Sequence, residues 1–398
     1  MRIAFDATAI PRLMVGAAVY TYELARALAA TDSENEYVIF ARGSHFDDLP
    51  PKADPPPAEP AIRQTPVGPG LRVLKVRAPS RPLRLLWEQT VLPWRLRELG
   101  IDVLHSPHHT TPLARLRRGC QRVVTFHDLT FFLLPERYPP TRRLYFQTMT
   151  RLSARVADAV IVPSEAVRGD VLRILPASGG PPERVFVIPE AAGTAFHPQD
   201  AAAIEAVRRR YGLEGPFLLS VGSLEPGKNR ERLLQAFARL RARGLKHSLV
   251  VAGQRAWRCE GEAPLARRLG LANSVRFLGH VPQADLPALY SAADLFVFPS
   301  LYEGFGLPAL EALACGTPVV ASNVSALPEV VGDAALQVSP LDVEALADAI
   351  ERLLRDDRLR ADLRERGLER ARQFSWEKAA RQTVEVYRRV VEARKEAG

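Results

Sequence analysis

Residues 293–322, "ADLFVFPSLYEGFGLPALEALACGTPVVAS", decide how the rest of the chain is read. The run "LFVF" is continuously apolar, the pattern of a strand buried on both faces of a parallel sheet rather than on one. Gly304 and Gly306 interrupt the chain after it. Pro308 then suits the first turn of a helix that runs to about Cys315, and Gly316 stands just past its end. "TPVVAS" is the next apolar run. Strand, helix and strand in this order form the unit of an open parallel α/β sheet.

The same alternation extends both ways. "FLLSVGSL", "HSLVVAG", "SVRFLGHV" and "AALQV" complete one series, and "RIAFDA", "YVIFA", "RVLKV", "DVLHS", "QRVVTFHD", "ADAVIVPS" and "RVFVIPE" form an earlier one. Helical spacing separates the runs, so the fold class expected is α/β, with two Rossmann-like, doubly wound domains. "IPEAAGTAFHPQD" is rich in small residues and proline and marks the join. The domains expected are 1–192 and 193–372, followed by a last helix over 373–398. Ser375 suits its N-cap, and Trp376, Ala380, Thr383, Val384 and Tyr387 give it an apolar stripe that must be covered. Residues 50–69, "PPKADPPPAEPAIRQTPVGP", read as an irregular surface loop.

Composition narrows the class. The chain has 398 residues, enough for two cores, and its 47% hydrophobic and 25% charged residues exclude a disordered or fibrous protein. No apolar run reaches the roughly 18 residues of a membrane span, and "MRIAFDATAI" has no signal-peptide pattern. Cys120, Cys259 and Cys315 are odd in number and widely spaced, which argues against disulfides and a structural zinc and for a cytoplasmic location. The net charge is +9, and residues 71–155 hold 16 Lys and Arg against 5 Asp and Glu. A functional basic surface and a general preference for arginine both account for this.

Leu307, before Pro308, offers no capping side chain, so the first amides of that helix are open to an anion, and Gly304 and Gly306 let the backbone approach one closely. A phosphate is the natural guest. Glu303 and Glu311 flank it, and carboxylates repel phosphate, so they need hydroxyl partners. Sugars on both sides of a diphosphate meet that need, and a nucleoside-diphosphate sugar is the ligand expected. In "FLLSVGSLEPGKN" a strand ends at Gly222 and Ser223, and Lys228 in the next turn is placed to neutralise the phosphates.

These residues resemble glycosyltransferase family 4, the retaining nucleotide-sugar transferases of the GT-B fold, whose Glu-x7-Glu motif matches Glu303 to Glu311. "VRFLGHVPQADLPALYSAADLFVFPS", "ALPEVVGDAALQVSPLDVEALADAI", "FHDL" and "LHSP" extend the likeness over nearly the whole chain. The resemblance implies two domains facing across a cleft, with the final helix packed back on the first. It implies that Glu311 binds the ribose, that Glu303 faces the transferred sugar, and that the backbone of Phe305, Gly306 and Leu307 holds sugar and phosphate. Residues around Gly279, His280 and Val281 are expected at the base, Gly16 at the diphosphate, and His127 against donor sugar and acceptor. The catalytic set is then His127, Glu303 and Lys228. The chain departs from the family where an arginine commonly stands beside the lysine: Ser223 and Gly227 occupy those places, so that either Arg230 substitutes or Lys228 acts alone.

No cofactor and no metal are expected. His105, His108 and His109 cluster in "LHSPHHT", but no carboxylate near them in sequence has ligand spacing. Likeness of "SLEPGKN" and "LLWEQTVLP" to mannosyltransferases of surface-polysaccharide synthesis makes GDP-mannose the first donor and a saccharide or polyprenol-linked saccharide the acceptor. Residues 81–99 carry Trp87, Val91 and Trp94 among arginines, so peripheral contact with the inner face of the cell membrane is expected there, and no nucleic-acid partner. A sugar-nucleotide epimerase or glucan synthase on the same fold, and a catalytically silent sugar-nucleotide-binding subunit, remain as alternatives.

Overall fold

Alternate residues of β9 (Phe217–Val221) enter different cores: Phe217, Leu219 and Val221 join one apolar cluster and Leu218 the other. Both faces of the strand are covered, which is why its sequence is apolar throughout rather than at every second position. The structure is a computed structural model and describes every residue except 11–15, 44–45, 47–63, 68–69, 79, 117–118, 177–181, 255–260 and 397–398. By its contacts the chain divides into one unit of Met1–Glu190 with Trp376–Gly398 and a second of Ala191–Ser375.

The first unit is built on β1 (Arg2–Ala7), β2 (Glu36–Ala41), β3 (Gln64–Val67), β4 (Leu71–Lys75), β5 (Val103–Ser106), β6 (Gln121–Thr125), β7 (Ala159–Val162) and β8 (Val185–Val187). Their order is β3-β4-β2-β1-β5-β6-β7-β8, and every pairing among them is parallel except β3 with β4. The sequence reading of 50–69 as one irregular loop is corrected here, because Gln64–Val67 lies antiparallel to β4 with Gln64 opposite Leu74. Pro66 is tolerated because β3 is an edge strand, where a missing N–H breaks no second ladder. The rest of that loop lies outside the described residues, as does Cys259. Cys120 and Cys315 are buried, and neither forms a disulfide.

Within this unit the helix Trp376–Glu396 buries Trp376, Ala379, Ala380, Thr383, Val384, Val386, Tyr387 and Val390, and packs along the helix Ala17–Thr31. Tyr387 is fully buried and its hydroxyl lies 2.6 Å from His105 Nδ1 on β5.

The second unit adds β10 (Ser248–Ala252), β11 (Val275–Gly279), β12 (Leu295–Phe298), β13 (Val319–Ser322) and β14 (Leu336–Val338) to β9. The order β11-β10-β9-β12-β13-β14 is all parallel. Strand order reverses between β9 and β12 in this sheet and between β1 and β5 in the other. Ligands of open α/β sheets bind at such switch points, outside the carboxyl ends of the strands. Among the described residues no helix is long and apolar enough to cross a membrane.

Candidate functional site

The loops leaving β9 and β12 meet at the switch point of the second sheet. Leu301 N–H donates to Gly227 O over 3.0 Å, and Lys228 Nζ donates to Glu303 Oε1 over 2.7 Å. Sequence reasoning gave the lysine and the carboxylate separate guests, phosphate and sugar. The structure joins them, so the carboxylate nearest the expected phosphates has a positive partner. Lys228 Nζ also lies 5.4 Å from the centre of the Phe298 ring.

Asn229, beside the lysine, was not singled out by sequence. It is buried in the left-handed conformation with φ 55°, and its amide donates to Pro299 O at 2.9 Å and Pro340 O at 2.7 Å. It thereby holds the lysine turn against the ends of two neighbouring segments. Arg230 does not substitute for the missing phosphate arginine in the way the sequence suggests. Its guanidinium is buried and donates to the carbonyls of Ser223 and Gly222, at 2.7 and 2.6 Å, so it props the loop from behind. Burial pulls its pKa down, opposed by Glu262, Glu225 and Glu303. Gly253, also unnoticed in the sequence, abuts the same loop: a Cβ there would stand 1.7 Å from Gly222 O.

The helix Leu307–Ala314 starts at Gly306, whose φ of 108° favours glycine and where no side chain caps the helix. A Cβ on Gly306 would meet Leu327 at 2.6 Å. Phe305 is buried edge-on to Phe374, with ring centres 5.7 Å apart, and Glu303 N–H is held by Ser325 Oγ at 2.9 Å. Phe305, Gly306 and Leu307 thus present a shaped, uncapped helix start beside the Lys228–Glu303 pair. Glu311 is buried on this helix and accepts the Tyr290 hydroxyl at 3.0 Å. Burial, then the charge of Glu311, raises the pKa of Cys315 to about 12 and that of Tyr290 well above its usual value. At the end of β11, Gly279 O accepts from Gly253 N–H at 2.7 Å; Val281 beyond it is buried and His280 exposed.

In the first unit Gly16 has φ 52° and begins the helix Ala17–Thr31 without a side-chain cap. Tyr20 on that helix lies edge-on to His127, ring centres 4.7 Å apart. Asp128, next to His127 in the chain, is engaged elsewhere: its Oδ1 accepts from Thr130, N–H at 2.9 Å and hydroxyl at 2.6 Å. The histidine turns instead to Glu190, 3.3 Å from Nδ1, while Nε2 lies 3.1 Å from Pro107 O. A carboxylate and a carbonyl only accept, so this pair of contacts favours the doubly protonated ring. Burial pulls the His127 pKa down, and Glu190 and Pro107 outweigh it and raise it. His105, bonded to Tyr387 and to Thr125, is pushed down to about 3 by burial.

Carboxylates distant in sequence approach the histidine cluster in three dimensions. Asp6 of β1, Glu88 of the helix Arg81–Glu98 and His108 after β5 bring one ligand atom each within 4.8 Å of one another. Burial raises the Glu88 carboxyl, but His108 and Arg84 outweigh it and hold it at about 2.

The family description "Glycosyl transferases group 1" matches residues 203–370, and "Glycosyltransferase Family 4" matches residues 14–194. The chain is 34% identical over 394 residues to the O-antigen chain mannosyltransferase B of Escherichia coli, covering 98% of this chain and 100% of that protein. It is 32% identical over 300 residues to the serotype-specific mannosyltransferase WbdA of Escherichia coli, 73% of this chain and 36% of that protein. Among solved structures, a sucrose-phosphate synthase from Thermosynechococcus elongatus superposes with a TM-score of 0.75 at 26% identity, covering 98% of this chain and 99% of the other. HepE from Anabaena, solved in complex with UDP and glucose, gives 0.72 at 20% identity, covering 97% of this chain and 98% of that chain.

Proposed function

The chain belongs to glycosyltransferase family 4, with the GT-B fold, and we propose from that premise that it moves mannose from GDP-mannose to a saccharide or polyprenol-linked saccharide with retention of configuration. The observation that carries the reading is the Lys228–Glu303 pair beside the uncapped helix start at Gly306. When the glycosidic bond breaks, negative charge develops on the departing phosphate oxygen. Lys228 and the amides at Phe305–Leu307 are fixed donors for it, an electrostatic contribution that needs no metal at the donor. Glu311 takes the ribose hydroxyls and Glu303 the transferred sugar. His127, with its ring nitrogens held by Glu190 and Pro107, brings positive charge to the acceptor side rather than a free hydrogen bond. The names of the relatives supply mannose and a polysaccharide product.

The test is calorimetric titration of the full chain with GDP, UDP and ADP, with and without EDTA, followed by acceptor-dependent release of nucleoside diphosphate. GDP should bind most tightly and equally well in EDTA. Glu311→Gln should weaken GDP binding by roughly tenfold, the loss of one charge-assisted hydrogen bond. Glu303→Gln should leave that affinity nearly intact and lower turnover by about a hundredfold. No nucleotide binding, equal losses in both variants, or conversion of the donor without any acceptor would overturn the reading, the last in favour of an epimerase.

A further inference from the structure

We propose that Asp6, Glu88 and His108 hold a divalent cation of the manganese-to-zinc series, at a site that shares no ligand with the Lys228–Glu303 pair, stands one residue from the Pro107 that holds His127, and does not rest on the mannosyl reading. Asp6 is fully buried; its Oδ1 accepts the N–H and hydroxyl of Thr8, at 3.0 and 2.6 Å, whereas Oδ2 has no hydrogen-bond partner. His108 is in the same condition, since neither ring nitrogen has a partner. Its Nε2 lies 3.6 Å from Asp6 Oδ2 and 3.5 Å from Glu88 Oε2. These separations are long for hydrogen bonds. They match the edges of a coordination tetrahedron, about 3.3 to 3.5 Å when each ligand stands about 2.0–2.2 Å from a zinc-like ion.

The surroundings suit that ion. Thr8 orients Asp6; Thr110 and Arg84 donate to Glu88 Oε2, the oxygen that faces His108, at 3.0 and 2.5 Å, and Gln89 donates to Oε1 at 2.9 Å. Outer partners of this kind commonly fix metal-ligating carboxylates. Two buried carboxylates face one guanidinium and one imidazole, so either the protonated His108 ring or, with that ring neutral, a cation between them lowers the cost of their burial. The atoms have almost no exposure, which excludes a saccharide as the guest and admits an ion. One imidazole and two carboxylates favour manganese or zinc over calcium or magnesium. The position is the switch point between β1 and β5, where the ion would tie β1, the helix Arg81–Glu98 and the loop after β5 together.

Tag-free full-length protein, stripped with EDTA and exchanged into chelator-free buffer, is titrated with Zn²⁺ or Mn²⁺ alone by calorimetry and thermal melting. One ion per chain should bind and raise the melting temperature. Asp6→Asn, which keeps the shape of the side chain, and His108→Ala should each weaken binding at least tenfold and abolish the shift. If His108→Ala does not fold, the wild type and Asp6→Asn still decide. Absence of saturable binding by either metal, or variants that bind as the wild type does, would overturn the site. No step uses a sugar nucleotide or an acceptor, so failure here leaves the proposed function standing, and the reverse.

Discussion

Asn229 shows how one unremarked residue sets the geometry of another. Its two amide hydrogens are spent on the carbonyls of Pro299 and Pro340, and its φ of 55° suits asparagine better than most residues. Asn229→Ala leaves two buried acceptors unpaired and should cost roughly 2–4 kcal/mol, read as a lower midpoint in urea unfolding; a change within error would show that water replaces the amide. His127 carries a prediction of opposite character. Burial favours its neutral form, and Glu190 overrides this and raises its pKa in the folded state. The stabilisation is therefore complete below the unfolded value of about 6.5 and fades as pH rises through the folded one. Glu190→Gln should remove that loss, so unfolding measured from pH 6 upward should decline less steeply in the variant; parallel curves would refute the pairing. None of this was readable in the sequence, because Glu190 and Asp6 find their partners through sheet topology, whereas Glu303, Gly306 and Glu311 fall within one loop and helix.

Among the elements, those whose sequence carries a single demand were the legible ones. β9, β10, β12 and β13 are covered on both faces, and "FLLSV", "SLVVA", "LFVF" and "VVAS" say so without reference to anything distant. β3 was missed because "QTPV" is made a strand by β4 beside it, not by its own composition. The helix Trp376–Glu396 was visible as a stripe, and its seat is the interior of the first unit, where Tyr387 reaches His105 and Trp376 stands edge-on to Tyr20, ring centres 5.8 Å apart. A chain ending at Ser375 should lose the cooperative melting of the first unit while the second still binds nucleoside diphosphate. Removal of residues 395–398 should leave both melting and turnover unchanged. A shortened chain that melts as the wild type does would make the helix an accessory.

For the molecule as a whole, charge and exposed apolar area coincide on the helix Arg81–Glu98. Arg84, Glu88, Leu92 and Leu96 are buried on one face, and Leu83, Leu86, Val91 and Trp94, 39–59% exposed, lie opposite within a region of marked positive charge. Vesicles containing anionic lipid should bind the protein, neutral vesicles much less, and binding should fall with added salt. Leu86→Ala with Trp94→Ala should reduce it severalfold; salt-insensitive binding, or none, would refute a membrane face.

The chain leaves the first unit at Glu190 and returns to it only at Trp376. During synthesis, the seat beside His105 therefore stands empty while the whole second unit is translated, roughly 10 to 40 seconds at ordinary elongation rates. The second unit is contiguous and can mature on the ribosome first. The nascent first unit must pass that interval with an unfilled apolar seam, the kind of exposed surface that chaperones cover.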